Sequence, residues 1–296
     1  HQKLFESDIN PIFRCLEENY LDIASPEPHV CFFDIEVDFD KDRGFAPPHD
    51  PHARITAITL YLNWLPEEQR LITLCLKPIQ LEQSTAEQIA MGYDNTVLCR
   101  DESELLDLFL KFIDDADILS GWNSEGFDIP YIINRTIQVL GKDATSRYCL
   151  WDKFPRKRKY IKFGNEQETY DLIGRVHLDY LELYRKYTYH EMHSYRLDAI
   201  GEYEIGEKKV PYEGTLDQLY NEDFEKFIAY SRQDVALLSK LDNKLKFIDL
   251  ANVLAHAGGT LLTKRKDHLK SAKSWRRLDV EKPKVKRTSH SEPLES

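Results

Sequence analysis

Apolar positions along this chain follow two periods, and the switches between them mark the elements. HVCFFDIEV (29–37) is a dense apolar run, with Val30, Phe32, Ile35 and Val37 set around Cys31 and Phe33, and it predicts a buried strand. A polar loop rich in turn formers follows, DFDKDRGFAPPHDPH. ARITAITLYLNW and EQRLITLCLKP are β-rich runs joined by LPE, and with 29–37 they predict a three-stranded antiparallel meander. DESELLDLFLKFIDDA places Leu105, Leu106, Leu108, Phe109, Leu110 and Phe112 at helical positions. DILSGWN reads as a short buried strand, and DIPYIINRTIQVLG as a helix with Pro130 in its first turn and Gly141 at its end. KRKYIKFGNEQETYDL (157–172) predicts a β-hairpin turning at Gly164-Asn165. RVHLDYLELYRKY predicts strand then helix. EDFEKFIAYSRQDVALLSKLDNKLKFIDLANVLAHA keeps a helical period too long for one average helix and predicts two. Residues 1–28 read as a short helix and a Pro-containing connector. From about Thr263 the chain is basic, polar and without an apolar face. The sum is an α/β domain, a mixed β-sheet flanked by helices, with an inserted β-hairpin.

One feature of the first strand conflicts with burial. Asp34 and Glu36 lie two residues apart, so a strand projects both from one face. Two like charges about 4 Å apart repel by roughly 4 kcal/mol at an effective dielectric of about 20. Protonation, a basic partner or a bound cation can relieve this. No Lys or Arg lies between positions 15 and 40, so a local basic partner is absent. An oxygen-only ligand set suits Mg²⁺ or Mn²⁺.

Composition narrows the setting. The five cysteines never form CxxC, which disfavours a disulfide framework or a zinc site and suits a reducing cytoplasm. No apolar run approaches the roughly 18 residues of a membrane span. The net charge of −11 is uneven, since residues 263–296 carry +6. KFPRKRKYIK (153–162) adds a second basic island, six positive residues in ten. An acidic body with local basic patches fits a protein that gathers divalent metal and meets phosphate at chosen places. The chain begins with His, and its two methionines stand at 91 and 192, so its start is expected to lie upstream.

Two further acids complete a constellation. Asp128 falls at the start of a predicted helix in SGWNSEGFDIPYIINR. Tyr230 and Asp234 in YSRQD lie four apart, on one helical face. Each piece alone is common: a second D-x-E stands at Asp279 and Glu281 in the tail, and Tyr148 and Asp152 repeat the tyrosine spacing. The ordered set is more specific. D-x-E on a strand, N-x-x-x-F-D after a second strand and Y-x-x-x-D on a late helix resemble the three motifs of DnaQ-like (RNase H-like) 3′–5′ exonucleases, in the tyrosine form of polymerase proofreading domains. FFDIEV, GWNSEGFDIPYIINR, LDYLELYRKY and SYRLDAIGEYEIGEKK resemble family B DNA polymerases, in particular the replicative polymerases of tailed bacteriophages. FESDINPIFRCLEENY resembles their connector into the exonuclease domain, and the likeness covers about residues 4–260.

The resemblance implies an RNase H-like exonuclease domain at 29–262, entered by a connector at 1–28 from a preceding domain and followed by a basic tail at 263–296. It implies two divalent metal ions (Mg²⁺ or Mn²⁺), with Asp34 bridging both, Glu36 and Asp234 completing the ion that activates water, and Asp128 serving the other. Tyr230 would orient the water, since an ordinary phenol of pKa about 10 is a poor base. Asn123 and Phe127 would contact the terminal nucleotide or its neighbour. The hairpin would help part primer from template, and Arg156, Lys157, Arg158, Lys159 and Lys162 would hold backbone. The implied substrate is single-stranded DNA or a primer–template 3′ end, and the implied product a 5′-mononucleotide. No D-x-x-S-L-Y-P-S or Y-G-D-T-D-S occurs, so the polymerising region is expected on another polypeptide or outside this chain. The expected setting is the host cytoplasm, away from any membrane. The competing expectations are a non-catalytic DNA-binding or docking fragment of a split polymerase, and a free-standing nuclease acting on RNA.

Overall fold

A computed structural model describes residues 11–162, 164–207, 214–258 and 261–262. The basic tail, with Asp279 and Glu281, lies outside the described residues, as do residues 1–10 of the connector. Helix α1 (Pro11–Tyr20) leads through the connector to strand β1 (Val30–Val37), followed by β2 (Ile55–Leu62) and β3 (Leu71–Leu76). These three form the expected antiparallel meander, with Asp34 opposite Thr59 and Glu36 opposite Ala57. Next come α2 (Gln83–Met91), β4 (Thr96–Cys99), α3 (Glu102–Phe112), β5 (Ile118–Gly121) and α4 (Asp128–Val139). The hairpin strands β6 (Arg156–Lys162) and β7 (Asn165–Asp171) precede β8 (Val176–Asp179) and α5 (Tyr180–Tyr187). Helices α6 (Leu197–Ile205), α7 (Leu216–Glu222), α8 (Phe224–Leu245) and α9 (Phe247–Ala257) complete the order.

The main sheet runs β4-β3-β2-β1-β5-β8, with β1 inside it. Strands β1 and β5, β5 and β8, and β3 and β4 pair in parallel, so the sheet is mixed. The hairpin forms a separate two-stranded sheet. Its turn contains Gly164 at φ +80°, a left-handed conformation that glycine adopts without steric cost.

Strand β1 divides the core by alternation. Cys31, Phe33 and Ile35 join Leu105, Phe109 and Ile132 on the α3–α4 side. Val30 and Phe32 join Tyr180, Val235, Leu238 and Leu241 on the side of α5 and α8. Asp34 and Glu36 continue the second series and so face the side where α8 packs across β1, β2 and β3.

Helix boundaries follow local chemistry. Asp101 caps α3 by accepting from Glu104 N at 2.9 Å, and Asp223 caps α8 by accepting from Lys226 N at 3.0 Å. Lys246, at φ +55°, breaks the long periodic stretch into α8 and α9, the expected two helices. Four elements carried no expectation: α2, β4, α6 and α7. Helix α2 buries only Ala86 and Ala90, too small a face to stand out by period. Strand β4 has four residues, only one of them buried.

Candidate active site

The site is assembled around the second half of β1. Asp34 is half-buried and Glu36 buried, with an irregularity in the β1–β2 register immediately after Glu36. Parallel pairing with β5 covers only Val30 to Phe32, which leaves the β5 side of β1 open beyond that point. Asp128, the first residue of α4, enters there: its Oδ1 accepts from Ile35 N at 3.3 Å. Ile35 is the residue between Asp34 and Glu36, so the backbone links the second acid directly to the first motif.

Asp128 is 4% exposed, and burial raises its carboxyl from 3.8 to about 7, against the lowering effect of the Ile35 N–H and its own; Asp179 adds to the rise. Asp234 is buried on α8 and Tyr230 half-buried one turn earlier, packed beside Phe227 and Ile228. The donors are therefore four carboxyls from three elements, three of them buried. Their chemistry fits a hard divalent cation. Among the described residues no three His, Cys, Asp or Glu side chains stand close enough together to close a metal site.

The loop between β5 and α4 is built tightly. A Cβ on Gly121 would stand 2.8 Å from both Phe33 O and Ser124 Cβ, so only glycine fits against β1 here. Asn123 is exposed and left-handed at φ +61°. Asp179, buried at the N-terminus of α5, holds this loop: Oδ1 accepts from Asn123 N and Leu181 N, both at 3.0 Å, and Oδ2 accepts from Glu125 N at 3.1 Å. Ser124 Oγ lies 2.9 Å from His177 Nε2 and donates to Gly121 O.

Phe127 is half-buried and stacks on Phe45 at 5.4 Å between ring centroids. Phe45 is 66% exposed, an apolar ring offered to solvent by a polar loop. A cleft of about 340 Å³ lies between α4 and the hairpin, lined by His49, Gly126, Asn134, Lys157 and Tyr170 among others.

The basic run of the hairpin is largely engaged with acids. Lys157 pairs with Glu168 at 2.5 Å and Lys159 with Glu166 at 2.7 Å, across the hairpin and mostly exposed. Arg158 pairs with Asp171 and with Glu125 of the β5–α4 loop. Arg156 is exposed, and the side chain of Lys162 lies outside the described residues.

Sequence reasoning missed Asp179, Glu125, His177 and Phe45. Asp179 had a readable signal, an acid at a strand end directly before a helix. Phe45 had a weaker one, a large ring after Gly44 in a loop of turn formers. Glu125 and His177 had none, because their roles lie in partners distant along the chain.

A six-stranded mixed sheet flanked by helices has the architecture of an exonuclease domain of the RNase H-like fold. Residues 3–200 match the family described as DNA polymerase family B, exonuclease domain, and the chain belongs to that family, as a 3′–5′ exonuclease domain. It is 30% identical over 250 residues to the DNA-directed DNA polymerase of Escherichia phage RB69, covering 75% of this chain and 26% of that protein. It is 34% identical over 133 residues to the DNA-directed DNA polymerase of Enterobacteria phage T4, covering 45% of this chain and 15% of that protein. The DNA polymerase delta catalytic subunit of Plasmodium falciparum is 29% identical over 277 residues, 86% of this chain and 24% of that protein. The chain thus spans about a quarter or less of these curated relatives. Among the described residues no helix is long and apolar enough to cross a membrane.

Proposed function

We propose that this chain is a metal-dependent 3′–5′ DNA exonuclease, the proofreading module of a family B DNA polymerase. It removes 5′-mononucleotides from single-stranded or mispaired 3′ ends and works with a polymerising region outside this chain, in the host cytoplasm. The observation that carries the reading is the bond from Ile35 N to Asp128 Oδ1, which ties the second motif's acid to the strand segment bearing Asp34 and Glu36.

Asp34, Glu36, Asp128 and Asp234 would hold divalent cations, which when bound lower the pKa of an attacking water and steady the leaving 3′ oxygen. The protein's own part is positioning. Strand β1 fixes the direction of Asp34 and Glu36, and burial of Asp128 and Asp234 keeps bulk water from competing for their oxygens. Phe127 with Phe45 would offer a stacking platform to a terminal base, and Asn123 would contact the terminal nucleotide or its neighbour. On the hairpin, Arg156 with Lys157, Lys159 and Lys162 would meet backbone phosphate.

The test is digestion of 3′-labelled single-stranded DNA and RNA in Mg²⁺, in Mn²⁺ and in EDTA. The expected result is mononucleotide release from DNA that EDTA abolishes. Inert DNA in both metals would favour a non-catalytic fragment, and preference for RNA would redirect the reading to an RNA nuclease.

Tyr230 would donate a hydrogen bond that orients the water. Tyr230→Phe is expected to lower kcat about 10–100-fold while DNA affinity stays within about twofold, the pattern of an interaction made mainly in the transition state. Lost affinity with kcat intact would place Tyr230 on the DNA instead.

A further inference from the structure

We propose that Arg158 is a positioning residue, a latch that ties the hairpin to the loop that carries Asn123 and leads into Asp128. Its side chain is only 33% exposed, and its guanidinium serves two acids on different elements. Nη2 donates to Glu125 Oε1 at 2.5 Å, and Nε donates to Asp171 Oδ1 at 2.9 Å. The guanidinium also lies 5.5 Å from the Tyr160 ring centroid. Among the described residues, the neighbouring Lys157 and Lys159 pair within the hairpin, in exposed bridges of the kind that contribute little order.

Glu125 is 6% exposed, and its backbone N–H donates to Asp179 Oδ2. Asp179 also receives Asn123 N, so one connected network runs from the hairpin through Glu125 and Asp179 to Asn123. Asp128 begins α4 three residues after Glu125. Turning Arg158 toward a DNA phosphate would take this cation from a buried carboxylate, an unfavourable exchange. The geometry therefore gives Arg158 to the loop, and the hairpin becomes part of what holds the second motif in place.

The kinetic arm of the test rests on the exonuclease reading; the exchange arm does not. Arg158→Gln, Glu125→Gln and the double variant are compared in the full chain. Amide exchange at Asn123 and Glu125 is expected to rise about tenfold in either single variant and no further in the double. On single-stranded DNA, kcat is expected to fall about tenfold in each single and no further in the double, with KM and its salt slope unchanged. Arg158→Lys, keeping one charged donor, should recover part of both effects; it also serves if Arg158→Gln fails to fold. Additive losses, a raised KM and a salt slope smaller by about one, with exchange unchanged, would make Arg158 a phosphate contact and overturn the latch. A parent protein inactive in every metal would overturn the exonuclease reading, while amide exchange would still decide the latch.

Discussion

Replacing Asp34 and Glu36 together by alanine should leave a folded protein that no longer digests a 3′-labelled oligonucleotide in Mg²⁺. The expected loss is at least about 1,000-fold, since removing two of four carboxyls would take away the groups that hold the cation generating the nucleophile. The fold should survive for a specific reason. The hydrogen bonds of β1 to β2 are backbone bonds that alanine keeps, and the apolar residues Val30 to Phe33 that seat the strand are untouched. The substitution also removes two like charges from one face of a strand, a repulsion of the order of kcal/mol. A thermal melt within a few degrees of the parent, together with absent digestion, is the expected pair of readings. Persistent metal-dependent digestion would sink the assignment of these two acids.

Asp128→Asn should separate activity from stability. Burial holds the Asp128 carboxyl at about 7 in the fold, against 3.8 for an ordinary aspartate. A raised acid binds more protons folded than unfolded, so its ionisation costs stability as pH rises between those two values. Well below pH 3.8 the residue is neutral in both states and the cost vanishes. Above about pH 7 the cost is complete, on the order of 1–4 kcal/mol. Asparagine keeps an oxygen to accept from Ile35 N but carries no charge. The metal-free variant is therefore expected to melt above the parent at pH 8, with most of that gap gone at pH 4, and with digestion reduced by about 100-fold or more. Saturating Mg²⁺ should narrow the gap at pH 8, because only the parent gains fully from binding. A variant less stable than the parent at pH 8 without metal would show that the Asp128 charge supports the fold.

Much of this was legible from local pattern. The meander, the two-helix C-terminal stretch and the hairpin with Gly164 in its turn each declare themselves element by element, because period and turn chemistry are short-range. The order D-x-E, N-x-x-x-F-D, Y-x-x-x-D was equally readable, and so was the family it resembles. Alternation also placed Asp34 and Glu36 on one face before any partner was known. The weakly periodic α2 and short β4 were not legible: two buried alanines and one buried cysteine leave too little signal.

The basic run of the hairpin shows where local reading stops. As sequence it is six positive residues in ten, a surface for phosphate. In the fold, Lys157, Arg158 and Lys159 each meet an acid, and Arg158 meets one 33 residues earlier in the chain. Net charge along a segment cannot reveal such pairing, since the partners come from β7 and from the loop before α4.

The sequence by itself determined most of the elements, the motif order, and an acid pair whose repulsion protonation, a basic partner or a cation could relieve. The tertiary structure decided which side of the sheet that pair faces, that Asp128 reaches Ile35 across 93 residues, and that Asp179 holds the Glu125 amide across 54. The division has a physical cause. Propensity and period are properties of neighbours along the chain, whereas a bond between distant residues exists only once β5 and β8 have closed against β1 and the sheet has fixed where each loop ends.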